Sequence, residues 1–317
     1  MKNNKSRVVI VGAGNVGSTT AYTLINQGIC NEIVLLDMNR DKASAEAQDM
    51  QHAVYFMDRN TRIWCGDYSD CRDADVVIIT AAAPMDINAD NRLDMLTPSK
   101  RVMKSVITSV MDSGFDGIIL VISNPVDLMT YYAWKLSGLS SAQVIGSGTN
   151  LDMARLSCRI SGFFNLDPKG ISCYIVGEHG DSEVVCWSNA TIGNKSIFKV
   201  MEDNSDRSGG ISYEQMRKDT TQAGWDIFHK KGNTSYGIAA SAASIVRSIL
   251  LDDKKIMPVC CRFEGQYGLS DVYLSSPVVL GSKGVQEIVE VDLTDAELAA
   301  LHKSSDVVCS FYDVLQD

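Results

Sequence analysis

Arg7-Val8-Val9-Ile10-Val11-Gly12-Ala13-Gly14-Asn15-Val16-Gly17-Ser18 is the stretch on which the reading of this chain turns. A β-branched apolar run breaks into Gly-x-Gly-x-x-Gly, and the residues up to 25 continue with a helical pattern. The physical expectation is a strand, a tight turn and a helix N-terminus aimed at a phosphate. Gly12 allows the turn, Gly14 lets backbone approach a pyrophosphate, and Gly17 lets the helix pack closely on the sheet. A second apolar run, Ile33-Val34-Leu35-Leu36, ends in Asp37, about twenty residues past the glycines. An acid there is placed to accept hydrogen bonds from an adenosine ribose, and its charge repels a 2′-phosphate. The two features together favour NAD over NADP; alone, Asp37 also reads as a strand-end turn residue.

Outward from this stretch, the first half alternates apolar strands with helical segments, the pattern of a parallel sheet covered on both faces. Residues 40–54 read as a helix, 61–65 as a strand and 75–80 as a strand buried on both faces. Residues 81–92 have no periodicity, and a loop of that length inside a compact domain is usually functional. Residues 93–111 are helical, with Pro98 moving the start of regular helix towards Ser99. A buried strand over 117–122 ends in Ser123-Asn124-Pro125-Val126-Asp127. Helix follows over 126–136, then a short strand at Val144-Ile145.

Near Gly146 to Asn150 the character changes, with a helix over 151–160, a strand over 171–176 and long helices over 214–230 and 236–251. The later strands, 257–263 and 272–275, are short, and residues 202–210 are polar and linker-like. The terminal helix opens at Thr294-Asp295-Ala296-Glu297, where Thr294 is a plausible cap.

At 317 residues the chain has material for about two domains. Its 29 basic against 39 acidic residues leave a net charge of −10, which disfavours nucleic acid and anionic membrane as partners. No apolar run approaches the ~18 residues needed to span a bilayer, and no signal-peptide pattern opens the chain. The nine cysteines are scattered, and Cys260-Cys261 are adjacent. Neither a Cys-x-x-Cys nor a zinc spacing is present, so they read as buried thiols of a reducing cytoplasm, with no metal site.

Only four histidines are available for acid–base work. His52 falls on the apolar face of its expected helix, His229 lies beside two lysines, and His302 lies in the terminal helix; each reads as a packing or surface residue. His179, in Gly177-Glu178-His179-Gly180-Asp181, follows a strand in a loop. Asp152 and Arg155 share one helix face at i, i+3. They are either a local ion pair or two tools, a carboxylate that orients His179 and a guanidinium fork that grips a substrate carboxylate. Arg92 closes the irregular loop, where it could stabilise charge developing on a carbonyl oxygen. Asn124 stands at a strand C-terminus, the ligand edge of such sheets, and is either an orienting group or a simple Asn-Pro turn.

In these motifs, taken in order, the chain resembles the lactate/malate dehydrogenase family over essentially its full length. Leu151-Asp152-Met153-Ala154-Arg155 and Lys231-Gly232-Asn233-Thr234-Ser235-Tyr236-Gly237 join the set already quoted. The resemblance implies an α/β fold, a Rossmann doubly wound parallel sheet over 1–147 followed by an α+β substrate-binding domain over 148–317. It implies that NAD and an L-2-hydroxy acid exchange a hydride. His179 is then the proton donor and acceptor, Asp152 its partner, Arg155 the carboxylate anchor and Arg92 the mobile electrophile. Gly12, Gly14, Asn15, Val16, Gly17, Asp37, Thr80, Ala81 and Asn124 would hold the cofactor, with Gly232, Thr234 and Ile238 along the pocket. A homo-oligomer, a tetramer, is implied as well.

Two departures sharpen the expectation. Family members acting on malate place an arginine in the loop for the second carboxylate, and common lactate dehydrogenases place a glutamine. Here Met85 takes that position, or Asp86 if an insertion shifts the match. Neither pairs with a carboxylate, and a second substrate charge left buried and unpaired costs several kcal/mol. A 2-oxo monocarboxylate is expected, pyruvate or a bulkier chain accommodated by the flexible Met85, with malate dehydrogenase as the alternative. The loop length and Thr234-Ser235-Tyr236-Gly237 lean towards L-2-hydroxyisocaproate dehydrogenases. The places of a fructose bisphosphate clamp hold Ser157 and Ser172, so no activation by that ligand is expected. NAD-dependent glycosidases need a Cys/His metal site, and the nearest candidate, Cys173, is six residues from His179. A non-catalytic NAD-binding protein would have no need of the Arg92, Asp152, Arg155 and His179 set.

Overall fold

The computed structural model describes residues 5–83 and 92–316, with backbone alone for 92–95. Met85 and Asp86 lie outside the described residues, as does the side chain of Arg92. In the first half, β1 (Arg7–Val11), α1 (Asn15–Asn26), β2 (Glu32–Leu36), α2 (Arg40–Ala53), β3 (Arg62–Cys65) and β4 (Val76–Ile79) follow in order. After them come α3 (Arg92–Asp112), β5 (Ile118–Val121), α4 (Val126–Ser137) and β6 (Val144–Gly146). These six strands are parallel, in the order β6-β5-β4-β1-β2-β3. That is the doubly wound arrangement, and the order reverses between β1 and β4. Val8, Val9 and Ile10 are wholly buried, as are Val76 to Ile79. Each such side chain contributes about 1.5–3 kcal/mol of burial. This explains why apolar runs without alternation became central strands.

The second half begins with α5 (Asn150–Phe164). Short strands follow: β7 (Ile171–Ser172), β8 (Ile175–Val176), β9 (Val184–Val185), β10 (Thr191–Ile192) and β11 (Lys195–Ser196). The rest comprises α6 (Ile197–Asp203), α7 (Ser205–Ser208), α8 (Tyr213–Lys231), α9 (Tyr236–Leu251), β12 (Lys255–Glu264), β13 (Ser270–Gly281), β14 (Gly284–Ile288) and α10 (Asp295–Cys309). β12 pairs antiparallel with β6 through Cys260 and Gly146, so β12, β13 and β14 extend the first sheet to nine strands.

Several local expectations are corrected. β12 and β13 are ten and twelve residues long rather than short, because their ladder continues past the apolar centre. The strand expected over 171–176 is two pieces in different sheets: β7 pairs with β10, and β8 with β9. Residues 202–210 complete α6 and form α7 rather than a linker. Helix α3 runs through Pro98, which forfeits one backbone bond without ending it. His52 is exposed rather than on an apolar face. Cys158 and Cys309 are exposed and Cys65 half-exposed, so only the other six thiols are buried.

Candidate active site

The glycine turn lies at the C-terminal end of β1, beside the end of β4, where the strand order reverses. Gly12 has φ +107°, a conformation that L side chains rarely adopt, and a Cβ there would lie 2.7 Å from the Ala81 nitrogen. At Gly17 a Cβ would overlap the Gly12 carbonyl oxygen, so glycine is what permits α1 to start this close. A Cβ on Gly14 would meet nothing within 4 Å, which leaves its outer side open to a ligand. Helix α1 has no side-chain cap and no acid in its first turn. Its first N–H groups and positive dipole end therefore suit a pyrophosphate, with Asn15 and Val16 on the first turn.

Thr80 Oγ1 donates to the Gly12 carbonyl (2.8 Å), and Ser123 Oγ donates to Ala81 O (2.6 Å), tying neighbouring strand ends together. Asp37 serves first as a brace: Oδ2 accepts from the Ala13 N–H (2.7 Å) and Oδ1 from the Asn39 N–H (2.8 Å). Each oxygen accepts one bond and has capacity for another, so the turn role and a ribose role are compatible. Asn124 is exposed at the same edge, beyond β5. These groups fit a dinucleotide.

Across the edge, α5 presents the chemistry. Thr149 anchors its start: the N–H donates to Ser275 Oγ (3.1 Å) and Oγ1 to Ile175 O (2.5 Å). One turn on, Asp152 is buried, 1 % exposed. Arg155 Nη1 donates to Asp152 Oδ1 (2.7 Å), and Asp152 Oδ2 lies 2.5 Å from His179 Nδ1. The ion pair and the histidine clamp are thus both present, one on each carboxylate oxygen. Arg155 makes no further hydrogen bond among the described residues, which leaves Nε and Nη2 donors for a ligand. Its guanidinium lies against α8 at Gly224, where a Cβ would stand 3.2 Å from Nη2.

Burial opposes the charged form of His179, but Asp152 and, to a smaller degree, Asp127 outweigh burial and lift it to about 9, with Arg155 pulling the other way. Burial likewise works against ionised Asp152, yet His179 and Arg155 hold its carboxyl below the usual range. A raised folded value for His179 and a lowered one for Asp152 mean that the pair's stabilisation is full from above the ordinary carboxylate range to about pH 6.5, and is lost as pH rises through about 9. The same titration sets an expected activity profile. For reduction of an oxo acid, kcat/KM should be level to about pH 9 and then fall tenfold per pH unit. Steady-state rates from pH 6 to 10.5 check this; an alkaline limb near 6.5 would show that Asp152 does not hold the imidazolium.

Thr234 and Ile238 flank the start of α9, which packs on α5, where a Cβ on Gly237 would lie 2.9 Å from Leu151. Both are partly buried, while Gly232 caps α8 with φ +81°. Two acids escaped the motif reading. Asp127 is 3 % exposed and accepts from the His179 N–H (2.8 Å). Glu183, also 3 % exposed, accepts from Thr221 Oγ1 (3.1 Å); burial, with Asp152 nearby, pushes it up to about 8. The Asn-Pro-Val-Asp and Gly-Glu-His-Gly-Asp-Ser-Glu spacings held the only signal for either.

Two family models match the chain: lactate/malate dehydrogenase, NAD binding domain, over residues 6–146, and lactate/malate dehydrogenase, alpha/beta C-terminal domain, over residues 149–310. The chain is 44 % identical over 308 residues to L-lactate dehydrogenase 3 of Bacillus cereus, covering 97 % of each chain. It is 43 % identical over 305 residues to L-lactate dehydrogenase 1 of Bifidobacterium longum, covering 96 % of each. The fold is similar to the ligand-bound minor L-lactate dehydrogenase of Enterococcus mundtii, with TM-score 0.94, 36 % identity and 99 % coverage of both chains. It is also similar to a lactate dehydrogenase from a Medee basin deep-sea metagenome library, with TM-score 0.93, 41 % identity and 99 % coverage of both chains. The motifs, the doubly wound sheet and these full-length similarities lead to one conclusion: the chain belongs to the lactate/malate dehydrogenase family and is L-lactate dehydrogenase-like.

Proposed function

We propose that this protein is an NAD-dependent L-2-hydroxyacid dehydrogenase of the L-lactate dehydrogenase type, interconverting a 2-oxo monocarboxylate and its L-2-hydroxy acid. The observation that carries the reading is the continuous Arg155–Asp152–His179 chain at 2.7 and 2.5 Å beside the nucleotide cradle. NADH, when bound across Gly12, Gly14, Asn15, Val16, Gly17, Asp37, Thr80, Ala81 and Asn124, supplies a hydride to the carbonyl carbon. Arg155 holds the substrate carboxylate by its free donors, and Asn124 orients the carbonyl. His179 delivers a proton to the carbonyl oxygen from Nε2, since Nδ1 is committed to Asp152. Asp152 stays ionised throughout and balances the imidazolium. Arg92 is assigned the developing oxyanion. Residues 1–147 serve the cofactor and 148–317 the substrate, a division supported by where the two family models meet.

Met85 is assigned the specificity position, with Thr234 and Ile238 along the same pocket. The absence of an arginine between residues 81 and 91 argues for a monocarboxylate over malate. The cytoplasm is the proposed location, in a fermentative role, and no helix among the described residues is long and apolar enough to cross a membrane. A homotetramer is proposed on the family resemblance; Phe56 just past α2 (85 % exposed), Tyr236 on α9 (72 %) and Trp225 on α8 (50 %) offer apolar surface for contacts between copies.

NADH oxidation against pyruvate, 2-oxoisocaproate, phenylpyruvate and oxaloacetate, each with and without fructose bisphosphate, tests the reading. A monocarboxylate should lead in kcat/KM. A tenfold advantage for a larger chain, about 1.4 kcal/mol in the transition state, would favour the assignment of the flexible Met85 to the specificity position. The bisphosphate should leave half-saturation unchanged, because Ser157 is buried on α5 and Ser172 is uncharged. Oxaloacetate ahead of every monocarboxylate would overturn the substrate assignment.

A further inference from the structure

The loop that carries His179 is held by its backbone as well as by its imidazole. Three successive N–H groups each find an acceptor on a different element. Gly177 donates to Ser275 O on β13 (3.0 Å), Glu178 to Ser304 Oγ on α10 (2.9 Å), and His179 to Asp127 Oδ2 on α4 (2.8 Å). The third is unlike the others, because its acceptor is a carboxylate and belongs to the cofactor half of the chain. Asp127 lies in the first turn of α4, three residues after Asn124. An acid there ordinarily faces water and the helix dipole. This one is buried, its Oδ1 has no hydrogen-bond partner among the described residues, and burial pushes its carboxyl up to about 6. Keeping a carboxylate there is costly unless a specific contact offsets the lost hydration. The main contact is with the backbone of the acid–base residue, and the Cys260 thiol adds a weaker one.

We infer that Asp127 is a positioning residue that sets the proton-delivering face of His179 against the carbonyl held at the Asn124 edge. Asp152 fixes the rotation of the imidazole, and Asp127 fixes where its backbone stands. Because Asp127 and Asn124 share one short turn into α4, the two sides of the reacting carbonyl are referenced to the same segment. Near-attack geometry tolerates errors well under an ångström, so loosening this tie should slow proton delivery more than it weakens binding. The groups facing Asp127 are the His179 ring, Glu178 and the Cys260 thiol on β12.

The inference rests on His179 being the proton donor, and the test separates the two. Asp127→Ala should lower kcat for pyruvate reduction about 30- to 100-fold while KM changes less than threefold. NADH affinity, by fluorescence titration, should stay within twofold. Asp127→Asn keeps an acceptor oxygen without the charge and should restore kcat to within about fivefold of the parent. Both variants should move the alkaline limb to lower pH, because both remove a negative charge beside His179. Asp127→Ala retaining kcat within threefold would overturn the inference. So would Asn and Ala variants that are equally impaired and have also lost NADH affinity, since that pattern marks a general structural role. If His179→Asn is inactive while Asp127→Ala is unimpaired, only the positioning role fails; if His179→Asn is active, the proposed mechanism itself fails.

Discussion

Arg155→Leu is expected to reduce kcat/KM for pyruvate by about 10²- to 10⁴-fold, the equivalent of about 3–5 kcal/mol for stripping one partner from a buried charge pair. Two anions lose their cation together. The substrate carboxylate loses its two-pronged donor, and Asp152 Oδ1 loses a 2.7 Å hydrogen bond in a site where Asp152 is 1 % exposed. Arg155→Lys should recover only a small part, since a lysine offers a point charge and no planar fork. The loss should fall mainly on KM, with NADH binding retained, as measured by steady-state kinetics beside a fluorescence titration. A loss below tenfold for the leucine variant would assign the substrate carboxylate to another group.

His179→Asn should lower kcat by about 10²- to 10⁴-fold, the usual span for removing a positioned acid–base group. An asparagine amide still donates to Asp152, so the packing of α5 against the loop is kept while proton transfer is lost. The alkaline limb expected near pH 9 should vanish in this variant. A residual rate that kept the limb would mean that another group carries the proton. The two variants are distinguishable by how the loss divides, on KM for Arg155 and on kcat for His179.

Much of this architecture is written locally in the chain. The strand–glycine–helix opening is legible because each glycine meets a different backbone demand within twelve residues. Asp37 and the Asp152/Arg155 pair are legible for the same reason, since strand ends and i, i+3 spacing are short-range facts. What escaped depends on partners far along the chain. The extension of the first sheet by β12 rests on Cys260 meeting Gly146, across more than a hundred residues, and no local pattern announces it. Asp127 looks like an ordinary first-turn acid until the His179 loop, 52 residues away, closes over it. The break within residues 171–176 comes from a change of sheet, which apolar content does not encode. Met85 and Asp86 remain readings from sequence, outside the described residues.

The nine-stranded sheet has one more implication. In the order of synthesis the cofactor half precedes β12, so a chain that folded before β12 was made would leave the outer side of the three-residue β6 as a sheet edge. A nascent or truncated chain ending near residue 147 would carry a ready template for pairing with another copy of itself. Completion of the ladder by β12 removes that hazard. The two halves, separable as labels for function, share one continuous sheet.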